Sequence, residues 1–153
     1  MRRLLLVCAG ALALASPAWG HTDGGRQLEL RWPADGTITS PFGRDGYRWH
    51  PGVDIGILRS LRVSAAAPGR VIEVGEPTGF AGYGNIVQVD MGDGWTALYA
   101  HLSRPLVRVG ALVATGQNLG VAGCTGWCTG THLHFEMRHL GRPVDPLKFR
   151  LGR

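Results

Sequence analysis

The chain is short of lysine. Of its 16 basic residues only Lys148 is not an arginine, and charged residues make up 18 % of the whole. No basic stripe with interleaved aromatics is present, which sets nucleic acid aside as a partner. After residue 20 no stretch sustains a 3.6-residue apolar period, so helical bundles and coiled coils are excluded. There is no internal repeat and no low-complexity linker. The apolar run Leu4 to Leu14 has about 11 residues where a membrane span needs about 20, so stable membrane insertion is not expected. The H-E-x-x-H pair of helical zinc enzymes is also missing.

Cysteine is scarce as well, with three residues in 153. Arg2 and Arg3, the apolar run behind them and Ala18-Trp19-Gly20 read as a secretory signal peptide over residues 1–20. Cleavage is expected after Gly20, with Ala18 as second choice. The protein is therefore expected to be exported, to the periplasm or to the cell exterior and wall. Cys8 lies inside the leader, and Leu-Leu-Val before it lacks the small residue expected beside a lipid-modified cysteine. Cys124 and Cys128 remain, in G-C-T-G-W-C-T-G. In an exported chain an even pair points to a disulfide. A zinc-binding C-x₃-C would need a second pair, which is absent. Such a short bridge adds little loop entropy. Its expected use is to stiffen the loop that leads into His132.

The length supports one domain. Residues 21–31 are polar and read as a flexible lead-in, and 32–153 as the folded domain, expected to be a monomer. The formal net charge is +5 at pH 7, two units of which sit on Arg2 and Arg3. A modest arginine-based charge favours an anionic partner such as a cell-wall polymer.

What the chain has in quantity is glycine, 24 residues, and with it 9 prolines. They punctuate short apolar runs: Val63–Ala67, Arg70–Val74, Asn85–Met91, Trp95–Leu102, Asn118–Ala122 and Thr131–Arg138. Gly92-Asp93-Gly94 marks a tight hairpin. The fold class is all-β, a single antiparallel sheet or sandwich.

Six histidines are present, and four of them stand in compact motifs. In T-H-L-H-F-E, strand alternation puts His132, His134 and Glu136 on one face and Leu133, Phe135 and Met137 on the other. In H-P-G-V-D, Pro51 and Gly52 argue against a helix. If a strand is entered at Gly52, Asp54 faces away from Val53 and Ile55 and can meet an open side; a turn capped by Asp54 is the alternative. His101, in Y-A-H-L, ends a β run and gains weight only from the other motifs. Imidazole nitrogens and a carboxylate suit zinc, and three protein ligands plus a water is the pattern of a catalytic zinc site.

From Ser40 to Phe149 the chain resembles the lysostaphin-type (LytM-like) zinc metallopeptidases that cut peptidoglycan peptides. The resemblance rests on S-P-F-G, H-P-G-V-D-I, A-A-P-G-R-V, G-Y-G-N-I-V, L-Y-A-H-L, C-T-G-W-C-T-G-T-H-L-H-F-E and R-P-V-D-P-L, in the family's order. It implies one zinc ion per chain, held by His50, Asp54 and His134 in an open groove. It implies His101 and His132 as the catalytic pair, and the stem peptides and cross-bridges of peptidoglycan as substrate. Arg44, Tyr47 and Arg48 are candidates for substrate contacts. Thr131 stands where the family usually has proline. A second reading is a catalytically inactive wall-binding module that activates another hydrolase. Relatives of that kind lose metal ligands, whereas all five positions stand here. A third, a metal carrier or phosphate-handling protein, would need the groove closed.

Overall fold

The computed structural model describes residues 28–45 and 48–152. The expected signal peptide, Cys8, His21 and Tyr47 lie outside the described residues. The strands are β1 (Glu29–Arg31), β2 (Thr37–Ser40), β3 (Gly43–Asp45), β4 (Arg48–His50), β5 (Val53–Gly56), β6 (Arg62–Ser64) and β7 (Gly69–Gly75). They continue as β8 (Asn85–Gly92), β9 (Trp95–Pro105), β10 (Leu112–Val113), β11 (Asn118–Ala122), β12 (Leu133–His139), β13 (Arg142–Val144) and β14 (Arg150–Gly152). Helical structure among the described residues is limited to a 3-10 turn, Pro146–Lys148, capped by the Asp145 side chain.

The principal sheet runs β10-β7-β8-β9-β12-β5-β2, with antiparallel neighbours throughout. The strand edges differ from the sequence expectation by a few residues. Strand β9 continues to Pro105, and β12 begins at Leu133 rather than Thr131. The lead-in expected over 21–31 is corrected at its end. Glu29–Arg31 are a strand paired in parallel with β14, so the two ends of the described chain are stitched together.

Alternation decides what the two sheet faces carry. On one face Val53, Ile55, Val87, Val89, Ala97, Tyr99, Leu133, Phe135 and Met137 are buried in the main core. Tyr99 and Phe135 pack 5.3 Å apart, and the Tyr99 hydroxyl accepts the Ala66 N–H at 2.7 Å. On the other face Ile86, Leu98 and Ala100 form a small cluster under Phe80 and Tyr83. The second face is otherwise the groove face. Each apolar side chain drawn into the main core from a regular strand thereby aims its strand neighbour at this second face.

Candidate metal centre and its groove

Register places the first two groups. His134 on β12 lies directly opposite Asp54 on β5, and directly paired antiparallel residues carry their side chains on the same face. Gly52 permits the approach. A Cβ there would stand 2.4 Å from the Phe135 carbonyl oxygen and 2.8 Å from the Glu136 side chain. His50 arrives from β4, where it pairs with Gly43. His50 Nε2, Asp54 Oδ1 and His134 Nδ1 then converge. They are separated by 3.2 Å (His50 to Asp54), 2.8 Å (His134 to Asp54) and 3.0 Å (His50 to His134).

The other ring nitrogens define what those three atoms are. His50 Nδ1 lies 2.8 Å from the Pro41 carbonyl, so it carries the proton and donates. His134 Nε2 lies 2.9 Å from Glu136 Oε1 and donates likewise. The inward atoms are therefore two nitrogen lone pairs and a carboxylate oxygen, three acceptors facing one another. Only a proton or a cation between them reconciles that crowding. Without a metal, protons do so. Burial pushes both histidines down, yet the hydrogen bonds and negative charge around them, from Asp54 with Pro41 for His50 and from Asp54 with Glu136 for His134, together raise both. Burial pushes the Asp54 carboxyl up, and bonds to the two histidines overcome it, holding it well below the usual carboxylate range. All three groups together could hold a metal ion, which would displace those protons.

His101 is placed by a break in regular pairing. Asn85 pairs with Leu102 and Val87 with Tyr99, so β9 holds one residue more than β8 across this step. His101 takes the left-handed backbone conformation there, with φ of 59°. Such bulges re-aim side chains and cluster beside functional sites. Beyond the bulge Leu102 re-enters the main core, while the His101 ring stands 4.7 Å from His132 and 5.8 Å from His134. His101 Nδ1 donates to the Thr125 carbonyl at 2.8 Å, and His132 Nδ1 donates to the Gly130 carbonyl at 2.7 Å. Both leave a lone pair on Nε2. His132 Nε2 is 3.7 Å from Asp54 Oδ1. Burial lowers His101, which favours its neutral form.

A buried support lies behind the site. Glu136 is fully buried. It accepts from His134, from the Tyr83 hydroxyl at 2.6 Å and from Arg138 Nε at 2.6 Å. Burial alone would raise the Glu136 carboxyl, but these donors lower it. Arg138 in turn lies 5.5 Å above the Phe80 ring. Metal-bound histidines commonly lean on a carboxylate in this way. Strand parity had put Glu136 on the histidine face, but Tyr83 and Arg138 gave no sequence signal for this role.

The groove encloses about 510 Å³ and is lined by all five candidate residues, with Arg48, Trp49, Tyr83 and Trp127 on its walls. It is open, unlike the closed site a metal carrier would need. Arg44 is exposed on β3 and is not among the lining residues. Cys124 and Cys128 are joined in a disulfide with Cα atoms 5.4 Å apart.

A family model, described as peptidase family M23, matches residues 48–146. The chain belongs to this family. Among curated M23 relatives, the murein hydrolase activator NlpD of Salmonella dublin is 36 % identical over 119 residues, or 78 % of this chain. The match spans 30 % of that relative's length. Among solved structures, a zinc-containing peptidase from Vibrio cholerae superposes with a TM-score of 0.71 at 33 % identity, over 82 % of this chain and 41 % of that one. The catalytic domain of lysostaphin from Staphylococcus simulans gives 0.59 at 31 % identity, over 77 % of this chain and 88 % of that one. The all-β antiparallel architecture is thus the M23 fold. No helix among the described residues is long and apolar enough to cross a membrane.

Proposed function

We propose that the protein is an exported zinc endopeptidase that hydrolyses peptide cross-links of bacterial peptidoglycan. The observation that carries the reading is the convergence of three acceptor atoms on one point, with two further imidazole lone pairs beside them. His50 Nε2, Asp54 Oδ1 and His134 Nδ1 would hold the ion. Held there, zinc would lower the pKa of a bound water towards ~7 and polarise a carbonyl.

The remaining work belongs to the chain. His101 and His132, each with Nε2 unprotonated, can accept a proton from the attacking water and return one to the leaving amine. In its protonated state either ring can stabilise the negative charge that develops on the carbonyl oxygen. Glu136 holds the His134 ring in the tautomer that offers Nδ1. The open groove, walled by exposed Trp49 and Trp127, admits an extended polymer from outside. Peptidoglycan as substrate is supported by the family and by the murein in the name of the Salmonella relative.

The same relative, a murein hydrolase activator, also supports a second reading, in which the domain activates another wall hydrolase without cutting. Turbidity of purified sacculi separates the two. The enzyme reading expects clearing by the protein alone, stopped by a chelator and restored by zinc. A protein that binds sacculi, leaves turbidity unchanged and speeds a second hydrolase supports the activator.

A further inference from the structure

The carbonyls that set the two catalytic tautomers come from one short segment. Thr125 serves His101 and Gly130 serves His132. Between and around them lies the Cys124–Cys128 bridge. The segment 124–130 contains no strand, and Cys124, Gly126, Trp127, Thr129 and Gly130 are exposed. It therefore lacks the buried side chains that fix β5 and β12, and its glycines make it costly to order.

Its anchors are uneven. Thr125 is well held: its hydroxyl donates to the Leu102 carbonyl at 2.8 Å and accepts from the Asn85 N–H at 3.0 Å. The Trp127 N–H donates to the Gly82 carbonyl at 2.8 Å. Gly126 fits against the Gly82–Gly84 loop only because it is glycine. Its φ is +72°, and a Cβ would stand 2.4 Å from Gly82 O and Gly84 N. Past Cys128 the connection to Gly130 is marked by a looser contact, with Cys128 Sγ 3.5 Å from the Gly130 carbonyl oxygen. Its route back into the fold runs through the His132 N–H, which donates to Gly123 O at 3.1 Å.

We propose that the Cys124–Cys128 disulfide is a positioning device for catalysis. It holds the loop so that the Gly130 and Thr125 carbonyls keep the Nδ1–H tautomer of His132 and His101, with the stronger effect on His132. This rests on the reading of those two histidines as proton carriers. A bridge closing so short a loop contributes little to global stability, so its effect is local. The metal ligands sit on other elements, with their second nitrogens held by Pro41 and Glu136, and do not depend on it.

The test uses ¹⁵N-labelled, zinc-loaded protein, compared before and after reduction with a trialkylphosphine, and the double variant Cys124→Ser/Cys128→Ser. Long-range ¹H–¹⁵N correlation reads each imidazole tautomer, alongside zinc content and sacculus hydrolysis. The expected result is a mixed tautomer at His132, a smaller change at His101, and none at His50 or His134. Zinc content stays unchanged, and kcat falls about 10-fold at unaltered KM. Unchanged tautomers at His132 and His101 overturn the proposal, as does unfolding of the sheet or loss of zinc on reduction. If the oxidised protein hydrolyses nothing, the tautomer reading still decides this proposal, and the failure belongs to the assigned function.

Discussion

The two halves of the site are built by different means. The metal corner is strand-borne: Asp54 and His134 face each other across β5 and β12, and their neighbours Val53, Ile55, Leu133 and Phe135 are fully buried. The proton-handling corner is loop-borne. His101 sits on a bulge with positive φ, and His132 precedes its strand, bridged only to Gly123. One corner inherits its precision from core packing, the other from two carbonyls on an exposed loop. Damage to the first should cost the ion; damage to the second should cost rate while the ion stays.

The most severe break is His134→Ala. Zinc retention is expected to vanish, and hydrolysis of sacculi to fall to background; a variant that keeps a full equivalent of zinc by atomic absorption sinks the ligand assignment. Next come His101→Ala and His132→Ala. Each should lose about 10²- to 10⁴-fold in kcat, the range of a positioned acid or base, with zinc content intact. Zinc loss in either would erase the division between the corners.

Glu136→Gln sharpens the metal side. The glutamine amide sets a donor against Arg138 Nε or against His134 Nε2, where the carboxylate accepts from both. Zinc affinity, read by competition with a chelator, should drop about 10- to 100-fold. An unchanged affinity would show that the buried carboxylate serves the fold alone.

Acidity offers a gentler probe. Zinc uptake needs His50 and His134 neutral, and both lie above 6.5 in the metal-free protein. Affinity should therefore climb with pH through a window above 6.5 and then level off. The metal-free protein runs the other way. Protonated His50 and His134 stabilise it fully below about 6.5, and that contribution is lost as pH rises through the raised values. The zinc-induced rise in Tm should be larger at pH 8 than at pH 6, and a flat response by calorimetry contradicts the proton-for-metal exchange. The mildest change is Tyr83→Phe, which removes one donor to Glu136. A loss of about 1.5 kcal/mol in stability is expected, with zinc affinity falling less than in Glu136→Gln.

This contrast also explains what the sequence could and could not say. Two-residue alternation in L-H-F-E-M is a direct consequence of strand geometry, so the facing of His134 and Glu136 was legible. The same holds for Asp54 between Val53 and Ile55. The bulge at His101 was not, because an extra residue in β9 is defined only by its pairing with β8. Plain alternation from Ala97 and Tyr99 would have turned His101 into the main core. Tyr83 and Arg138 were equally hidden: one is far along the chain from Glu136, and the other resembles any surface arginine. The parallel pairing of β1 with β14 is likewise a contact between chain ends that no local pattern encodes. Of the two arginines offered by the family resemblance for substrate contacts, Arg48, on β4, lines the groove and Arg44 does not.

The most direct test of the central claim is mass spectrometry of the peptides released when zinc-loaded protein digests purified sacculi. The account predicts new free amino and carboxyl ends within the stem peptides or cross-bridges, absent from a chelator-treated control. Intact cross-links after exhaustive digestion by protein carrying one zinc per chain would contradict it.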